Sequence, residues 1–510
     1  MSGIQTLTDG CTIGGNIPTH LLERGRMSDV IQLSNFIAGQ WQPSQCQHWI
    51  ENFSPATGEH IANIPCSSSE DIDLAVEAAL DAAEQWSQFS INERADWLEK
   101  IADELEQRTD EIAQLESLDT GKPITLARNV DAARSVANFR FFADQGREFE
   151  SEIFEMSDAT NRVLYKPVGV AGLITPWNLP LYLLSWKVAP ALLMGNTIVA
   201  KPSEMTPMTA SLLAEVIEDV GLPSGVFNLV HGNGLDAGAP LTAHPDVNLI
   251  SFTGGTTTGR EVAKSASSAF KKLSLELGGK NATIIREDVD IESMMPGIVR
   301  ASFLNQGQVC LCGSRILIHE SIYDVFVEAF LNAVNDMIVG DPADEETELG
   351  ALISAAHRDK VMSYIDLAED EGGDILCGGG PPVGIPDAFA NGFWISPTVI
   401  DGLTPDSRCA TEEIFGPVVT LHPFFDDAEA IEIANMTDYG LAGSIWTQDV
   451  DAGSRMAEQI ESGMVWVNCW LHRDLRVPFG GVKHSGVGRE GGRWSLSFFS
   501  EAVNICVKRE

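Results

Sequence analysis

The sequence predicts an α/β fold made of two parallel sheets with helices on both faces, and three observations support this class. Short apolar runs alternate with amphipathic stretches along the chain, as they do in doubly wound domains. The alternation occurs twice, over residues 169–255 and again over residues 281–469. The chain has 510 residues and is 44% hydrophobic, so it can form about two to four domains with large cores.

Two amphipathic helices precede the first alternation. Apolar residues recur at helical spacing over residues 71–89 and 94–123. Asn92 is the expected N-cap of the second helix, and Gly121 and Pro123 are expected to end it. Strands are predicted at 169–175, 196–202, 225–232, 248–255, 281–287, 314–320, 418–424 and 463–469, helices at 211–221 and 321–338, and a long loop at 378–392.

The strongly acidic composition limits the partners of the protein. With 33 basic against 73 acidic residues, its formal net charge is −40. Such a surface repels phosphate backbones and anionic lipids, so nucleic acid and membranes are not expected as partners. An anionic substrate would also be repelled, so its binding site would need arginines of its own. The excess of acidic residues is otherwise expected to serve solubility.

The cysteines and the first residues indicate where the protein works. Nine cysteines are scattered through the chain without a regular framework, which is typical of reduced, cytoplasmic proteins. Residues 1–27 have neither an apolar signal core nor an arginine-rich pattern, so no export or import signal is predicted there. This segment is expected to be a disordered extension. No apolar run is long enough to suggest a membrane span.

Two cysteines lie close together in the stretch NQGQVCLCG at residues 305–313, namely Cys310 and Cys312. A structural zinc site needs about four ligands, and no second pair of ligands lies nearby. A redox pair prefers the spacing Cys-x-x-Cys, which this stretch lacks. A buried inert thiol describes Cys312 well, whereas the amides and the glycine before Cys310 suit a reactive thiolate. No metal site is therefore predicted.

Other polar groups stand out in apolar surroundings. Glu276 ends an apolar strand before two glycines, as either a salt-bridged edge residue or a buried base with a raised pKa. Asn178 interrupts an apolar segment, as either a turn residue or a donor to a developing oxyanion. Lys201 and Glu204 follow a strand and suit sugar hydroxyls. The turn FTGGTTTG at 252–259 opens a helix whose free N–H groups suit a pyrophosphate.

The sequence resembles the aldehyde dehydrogenase superfamily in four stretches, which contain Cys310, Glu276, residues 178–204 and the turn at 252–259. The resemblance covers nearly all of residues 30–510. Further matching motifs are EEIFGPV at 412–418, NMTDYGLAGSIWT at 435–447 and PFGGVKHSGVGREGG at 478–492. The resemblance implies an enzyme that oxidises an aldehyde to a carboxylate with NAD as cofactor. It also implies a Rossmann-like NAD-binding domain, an α/β catalytic domain and a small β oligomerisation arm.

The resemblance assigns the catalytic roles to three residues. Cys310 is the expected nucleophile, and the Asn178 side chain is expected to hold the oxyanion together with the Cys310 N–H. Glu276 is expected to activate the water that hydrolyses the thioester. The residues implied to bind NAD are Thr175, Pro176, Trp177, Lys201, Ser203, Glu204, Phe252, Gly254, Gly255, Gly259, Leu277, Glu413 and Phe415.

Four stretches resemble the branch of the superfamily that oxidises muconate semialdehydes, namely ANFRFFAD, GQVCLCGSR, GALISAAHRDKV and VNCWLHRDLRVPFGG. The expected substrate is 2-aminomuconate 6-semialdehyde, ahead of 2-hydroxymuconate 6-semialdehyde. Both carry a carboxylate far from the aldehyde, and Arg134 and Arg473 match the branch's carboxylate-binding arginines. A broad-specificity enzyme, or one for betaine aldehyde with an aromatic cage of Trp177, Tyr182 and Trp470, is the alternative.

Two other functions remain open on the sequence alone. A CoA-acylating relative would pass the thioester to CoA, and Glu276 argues against it because hydrolysis needs a base. A non-catalytic protein on the same fold would not need Cys310, Glu276 and Asn178, so their presence argues against that reading.

The resemblance also implies how the chain is divided. The expected parts are 28–147 with 168–278 for NAD binding, 279–475 for catalysis, and 148–167 with 476–510 for the oligomerisation arm and the C-terminal segment. The hairpin near 148–167 and the strand at 502–508 are expected to pair across subunits of a dimer or tetramer.

Overall fold

The computed structural model describes residues 30–46 and 48–509. The extension predicted for residues 1–27 lies outside the described residues. Two large sheets dominate the described chain, as the sequence predicts, and helices pack against them. No helix of the described part is long and apolar enough to cross a membrane.

The first sheet has eight strands, of which the five central ones are parallel. In chain order the central strands lie fifth, fourth, first, second and third across the sheet, so the order reverses between the first strand and the fourth. Such a reversal opens a crevice at the carboxyl ends of the strands. Across the sheet the strands are Gly486–Val487, Lys272–Glu276, Val247–Thr253, Val170–Ile174, Thr197–Lys201, Phe227–Leu229, Asn35–Ile37 and Gln40–Gln42.

The second sheet has seven strands, and all are parallel except the first, which pairs antiparallel with its neighbour. Its parallel strands are apolar runs buried on both faces, because helices cover both sides. Across the sheet the strands are Asp374–Cys377, Thr398–Asp401, Val418–Phe424, Arg315–His319, Ala282–Ile285, Ala442–Trp446 and Met464–Val467.

Smaller sheets complete the fold. One consists of Ile31–Gln32, His60–Pro65 and Trp49–Phe53, and another of Tyr439–Gly440 and Val482–Lys483. The arm is a third sheet, in which Ile153–Glu155, Ala159–Pro167 and Ser500–Lys508 pair antiparallel. The C-terminal strand pairs with the hairpin of its own chain, and its pairing across subunits stays a prediction. Its nine residues, Ser500–Lys508, all have partners on Ala159–Pro167, so that edge of the hairpin is satisfied within the chain.

The helices follow the predicted order with one difference of note. The predicted helix over 94–123 is two helices, because Arg108 has non-helical angles and its guanidinium is held by Glu111 and Glu215, each at 2.7 Å. The α-helices are Ser69–Gln88, Ile91–Gln107, Thr109–Thr120, Ile124–Leu126, Ala133–Arg147, Pro180–Leu193, Met208–Asp219, Ala239–Ala243, Thr256–Ser267, Ile291–Phe303, Tyr323–Asn335, Ala355–Asp370, Arg408–Thr411, Asp427–Asn435, Val450–Ala457 and Gly492–Phe498. Short π- or 3₁₀-helical turns occur at Ala127–Ala132, Gly234–Gly238, Leu304–Gly307, Glu320–Ile322 and Asp387–Phe389.

The caps of these helices correct one prediction. Asn92 does not cap the helix Ile91–Gln107, because Ser90 does. The Ser90 hydroxyl accepts from the backbone N–H of Glu93, and the Glu93 carboxylate accepts from the backbone N–H of Ser90 at 2.7 Å. This reciprocal capping box satisfies two free N–H groups, and Asn92 falls inside the first turn. Gly121 ends the next helix in the left-handed conformation, as predicted.

Candidate active site

One large cavity lies where the first sheet meets the second, with a volume of about 1400 Å³. The switch point of the first sheet opens into it, and the loop that carries Cys310 closes it from the second sheet. The cavity brings together nearly all of the residues that the sequence predicts for a site. Its walls include Cys310, Glu276, Asn178, Thr175, Pro176, Trp177, Lys201, Ser203, Glu204, Phe252, Gly254, Gly255, Leu277, Glu413, Phe415, Arg134 and Arg473.

Gly259 is the one predicted site residue that does not line the cavity. It lies in the first turns of the helix Thr256–Ser267, behind Leu277. A Cβ atom at this position would come within 2.4 Å of the Leu277 side chain. Gly259 therefore lets the helix approach Leu277, which does line the cavity.

The predicted nucleophile Cys310 follows a strained loop. Asn305, Gln306 and Gly307 all have positive φ angles, of 55°, 57° and 68°. Such angles are costly for residues other than glycine, so the surroundings must hold them in place. Gln306 donates to the Ala351 carbonyl at 3.0 Å, and the Gln308 side chain accepts from the Ile353 N–H at 3.1 Å. The buried amides of the NQGQ motif thus fix the loop.

The far side of the loop is held by Asn281. Its Nδ2 donates to the carbonyl of Cys310 at 2.8 Å and to that of Cys312 at 2.9 Å. Burial raises the pKa of the Cys310 thiol well above its usual range, and the nearby carboxyls of Glu413 and Glu276 raise it further. These surroundings favour the protonated thiol over the thiolate.

Cys312 does not share this environment. Its thiol is buried in the core of the second sheet, and burial raises its pKa to about 12. The Cys312 sulfur lies 3.8 Å from the carbonyl oxygen of Leu304. This placement supports the interpretation of Cys312 as an inert neighbour of Cys310.

Asn178 faces the same loop from the end of the first sheet. Its Nδ2 donates to the Gln308 carbonyl at 2.9 Å. An amide nitrogen carries two hydrogens, so one remains for another acceptor in the cavity. Asn178 is 5% exposed, and its own carbonyl accepts hydrogen bonds from Lys122 and Asn305. It is therefore a fixed donor and not a turn residue at the surface.

Glu276 is a buried carboxyl without hydrogen-bond partners. It ends the strand Lys272–Glu276, is 4% exposed, and neither carboxyl oxygen is bonded to any residue in the described part of the chain. Burial raises the pKa of Glu276 well above its usual value, and the nearby carboxylate of Glu490 raises it further. A raised pKa makes the deprotonated form a stronger base. The salt-bridged alternative is therefore wrong for Glu276.

The opposite end of the cavity fits a dinucleotide. Lys201 and Glu204 pair at 3.1 Å where the strand Thr197–Lys201 ends. Gly255 caps the helix Thr256–Ser267, and a Cβ atom there would meet no atom within 4 Å, so the helix N-terminus is open to the cavity. An open helix N-terminus at a switch point is a site for phosphate groups.

A second carboxylate in the cavity wall belongs to Glu413. The Glu413 side chain accepts from the Gly279 N–H at 2.8 Å, and burial raises its pKa. Its neighbour Phe415 has a positive φ of 64° and packs edge-on against Trp177 at 5.3 Å. A carboxylate held by one backbone N–H keeps lone pairs for sugar hydroxyls, and the aromatic pair offers a flat apolar wall for a ring.

Three arginines lie in the walls without an ion pair among the described residues, and two of them, Arg134 and Arg473, are the ones that the sequence predicts for the substrate. Arg473 lies between the rings of Trp186 and Phe479, with its guanidinium carbon 4.4 Å and 4.1 Å from their centres. Its Nη1 donates to the Tyr182 hydroxyl at 2.9 Å, whereas its buried Nη2 has no hydrogen-bond partner. Arg134 lies over the ring of Tyr182 at 5.8 Å. Both guanidiniums can therefore bind an anion in the cavity.

Sequence reasoning missed several residues around the cavity. Arg300 lines it with its guanidinium over the ring of Trp470. His357 packs against Trp177, and its Nε2 donates to the Phe415 carbonyl. Lys187 forms a buried ion pair with Glu490 at 2.7 Å. The charge of Arg300, in an apolar helix, was a signal in the sequence. The partners of the others are more than 50 residues away in the chain, so no local pattern reveals them.

The fold and the cavity first define a class, an oxidoreductase with a buried thiol in the same cavity as a dinucleotide site. The family model described as "Aldehyde dehydrogenase family" matches residues 41–505. The chain belongs to the aldehyde dehydrogenase family.

Relatives and solved structures resemble the whole chain. It is 48% identical over 483 residues to the 2-aminomuconic semialdehyde dehydrogenase of Mus musculus, covering 94% of this chain and 99% of that protein. It is 46% identical over 484 residues to the 2-hydroxymuconic semialdehyde dehydrogenase of Pseudomonas sp. (strain CF600), covering 94% and 99%. The crystal structure of PnpE in complex with nicotinamide adenine dinucleotide is 43% identical and has a TM-score of 0.92, covering 94% and 98%.

These similarities confirm the predicted family, the α/β fold, the aldehyde-oxidising activity and the cofactor NAD. The roles of individual residues and the division into domains stay predictions.

Proposed function

We propose that this enzyme oxidises semialdehydes with a carboxylate at the far end, and that 2-aminomuconate 6-semialdehyde is its preferred substrate. The observation that carries this proposal is the pair Arg134 and Arg473. Neither has a carboxylate partner in the described part of a chain with a net charge of −40, and both line the cavity that holds Cys310. The name of the relative from Mus musculus supports the same substrate.

The chemistry assigned to the chain's residues begins at Cys310. The Cys310 thiol loses its proton to solvent, and the thiolate attacks the aldehyde carbon. The carbonyl oxygen becomes an oxyanion held by the Asn178 amide and the Cys310 N–H. Bound NAD supplies the acceptor for the hydride that leaves the same carbon, with Lys201, Glu204 and Glu413 on its sugars. The product of this stage is a thioester on Cys310.

Hydrolysis of the thioester falls to Glu276. Its carboxylate takes a proton from water, and the resulting hydroxide attacks the thioester carbon. The Cys310 thiolate leaves, so the carboxylate product and the free enzyme are formed. The unpartnered carboxyl oxygens of Glu276 suit this role, because no hydrogen bond within the described chain must break before water is engaged.

The carboxylate of the substrate, at the end far from its aldehyde, binds to Arg473 and Arg134. The Nη2 of Arg473 has no partner in the described chain, and a carboxylate there would satisfy it with a charge-assisted hydrogen bond. Arg134 adds a second positive charge over Tyr182. The substrate 2-hydroxymuconate 6-semialdehyde is the second candidate, because it offers the same carboxylate and a relative bears that name.

Betaine aldehyde fits this cavity less well. Of the three rings predicted to form an aromatic cage, Tyr182 faces Arg134 and Trp470 faces Arg300. A quaternary ammonium group would meet guanidinium charges where it needs free aromatic faces. The aromatic residues therefore support the arginines, in this proposal, and do not receive a cation from the substrate.

The wider organisation belongs to the same proposal. Residues 28–147 and 168–278 bind NAD, residues 279–475 carry the catalytic loop, and 148–167 with 476–510 contribute the arm and the C-terminal segment. The exposed apolar residues Ile153 and Phe154 on the arm support a dimer or tetramer. The eight free cysteines of the described chain support a reducing, cytoplasmic location.

The test compares substrates and arginine variants in one assay of NADH formation. Wild type, Arg134→Ala and Arg473→Ala are given 2-hydroxymuconate semialdehyde, a tractable analogue, beside betaine aldehyde and a plain aliphatic aldehyde. Both variants are expected to lose mainly the activity on the muconate substrate. Arg476→Ala is the matched control, since this exposed arginine pairs with Asp474 outside the cavity. Preference for another aldehyde, with no effect of the arginines, would overturn the substrate assignment.

A further inference from the structure

A buried ammonium group lies directly behind the amide of Asn178. The side chain of Lys122 is fully buried, and its Nζ donates to the backbone carbonyl of Asn178 at 3.0 Å. The same Nζ donates to the Asp131 carboxylate at 3.0 Å. The carboxyl of Glu116 lies 4.0 Å away. Lys122 does not line the cavity, so it does not touch the aldehyde or the cofactor.

This charge cluster is costly to bury. The side chains of Lys122, Asp131 and Glu116 are all 0% exposed, and each loses its hydration. One oxygen of Asp131 and one of Glu116 have no hydrogen-bond partner among the described residues. Well-packed apolar residues often give equal or greater stability than such a cluster. Stability alone therefore does not account for it, and its contacts point to a role in geometry.

The contacts of the cluster converge on the segment around Asn178. Glu116 accepts from the backbone N–H of Leu181 at 2.9 Å, three residues after Asn178. The carbonyl of Asn178 accepts from Lys122 and also from the Nδ2 of Asn305, at 3.2 Å, in the loop before Cys310. The backbone carbonyl of Asn178 and the backbone N–H of Leu181 are thus held by side chains that do not line the cavity.

The second partner of Lys122 leads to the substrate side. Asp131 lies in the π-helical turn Ala127–Ala132, which runs directly into the helix Ala133–Arg147 that carries Arg134. π-Helical turns within helices are frequent at functional sites. Lys122 therefore links the segment of the oxyanion donor to the turn that precedes the substrate arginine.

We propose that Lys122 is a positioning residue for the reaction, and that it holds the Asn178 side chain where the oxyanion forms. The inference rests on the oxyanion role of Asn178 in the proposed function. The ammonium, anchored by Asp131, fixes the Asn178 carbonyl, and the backbone of Asn178 then directs its side-chain amide into the cavity. A shift of about 1 Å in such a group can lower the rate by about 10²-fold.

A double-mutant cycle tests whether Lys122 acts through Asn178. The variants are Lys122→Met, Asn178→Ala and the two combined, assayed for kcat with an uncharged aldehyde at saturating NAD. Asn178→Ala is expected to lower kcat by about 10²–10³-fold, as loss of an oxyanion donor does. Lys122→Met is expected to lower it by up to about 10²-fold. The combined variant should be no slower than Asn178→Ala, because the side chain that Lys122 positions is gone.

Two further variants separate positioning from loss of stability. Lys122→Met leaves buried carboxylates unpaired, so Lys122→Met with Asp131→Leu is made as well, to remove the ion pair as a unit. It should fold, bind NAD as wild type does and show the same loss of kcat as Lys122→Met. Lys271→Met is the control, since Lys271 is a buried lysine that donates to the His244 carbonyl away from the cavity. Its kcat should stay at the wild-type value.

The outcomes distinguish the two proposals. If the losses from Lys122→Met and Asn178→Ala multiply in the combined variant, the positioning role is wrong while the proposed function stands. A folded Lys122→Met enzyme, or a folded pair variant, with the wild-type kcat overturns it too. If Asn178→Ala itself keeps the wild-type kcat, the oxyanion role in the proposed function fails and the inference fails with it.

Discussion

Replacing Glu276 with glutamine is the most informative single change to this enzyme. The two side chains have nearly the same shape, so Glu276→Gln removes the basic carboxylate with little change in packing. Neither Glu276 oxygen is hydrogen-bonded within the described chain, so the substitution breaks no such bond. A neighbouring carboxylate, that of Glu490, is held by Lys187 at 2.7 Å and is not free to replace it.

The expected magnitude follows from the loss of general base catalysis. A positioned base contributes about 10²–10⁴-fold, so thioester hydrolysis and steady-state turnover should fall by that factor. Formation of the thioester should still occur, which gives one rapid turnover of NADH per active subunit and then a stall. Rapid-mixing absorbance measures the burst, and mass spectrometry of the intact protein detects the acyl group on Cys310.

The pH dependence of hydrolysis provides a second measurement on the same variant. Burial raises the pKa of Glu276, so its carboxylate form, and with it hydrolysis, should increase as the pH rises through that raised pKa. Glu276→Gln should remove this dependence. A group with a raised pKa in the folded state binds its proton more tightly than in the unfolded state, so wild type should lose stability relative to the variant as the pH rises.

The control for Glu276→Gln is Glu371→Gln. Glu371 accepts hydrogen bonds from the backbone N–H groups of Arg408 and Cys409, and it lies outside the cavity. It should turn over normally. A Glu276→Gln enzyme with normal steady-state turnover, or with no burst and no acyl adduct, would refute the assignment of the base.

Three other substitutions test separate parts of the structure. Cys310→Ala should abolish NADH formation while titration calorimetry still detects NAD binding, and residual turnover would exclude Cys310 as the nucleophile. Gly307→Ala should destabilise the protein by at least about 1–3 kcal/mol in thermal unfolding, because a Cβ atom there meets the Gly416 carbonyl oxygen at 2.0 Å and φ is 68°; an unchanged melting temperature would contradict the strained loop. Ser90→Ala should cost about 1 kcal/mol without changing kcat, because it removes the capping box. A loss of activity at full stability would show that Ser90 does more than cap.

The sequence could predict the strands and the residues at their ends. Thr175, Gly254 and Lys201 come at or directly after buried parallel strands, and all line one cavity because those strands end at the same edge of the sheet. Cys310, from the second sheet, joins them only through tertiary packing. The local pattern NQGQ only suggested a reactive thiol, and the role of nucleophile came from resemblance to a family.

The sequence could not predict contacts between distant polar groups. Lys122 lies between Gly121 and Pro123, where the sequence indicates only the end of a helix, and its acceptor at Asn178 is 56 residues away. The break at Arg108 was not predicted either, because the apolar spacing continues across it. The ion pair of the Arg108 guanidinium with the distant Glu215 leaves no local pattern. Asn92 was a reasonable cap by residue type, but only Ser90 has a glutamate three residues later.

An acidic protein that binds an anionic substrate must keep some positive charge free of its own carboxylates. With 73 acidic residues available, several arginines of the described chain form ion pairs, as Arg140, Arg147 and Arg408 do. Arg473 is held instead by the faces of Trp186 and Phe479.

Aromatic rings attract a guanidinium but, unlike a carboxylate, leave its hydrogen-bond donors unoccupied. The Nη2 donor of Arg473 has no partner in the described chain, so a substrate carboxylate there does not have to displace a protein carboxylate. Guanidiniums also lie over Tyr182 and Trp470, two of the three rings that a cage for a quaternary ammonium group would use. One arrangement of side chains thus favours a carboxylate-bearing aldehyde and disfavours betaine aldehyde, which is why the arginine variants discriminate so directly between the two substrates.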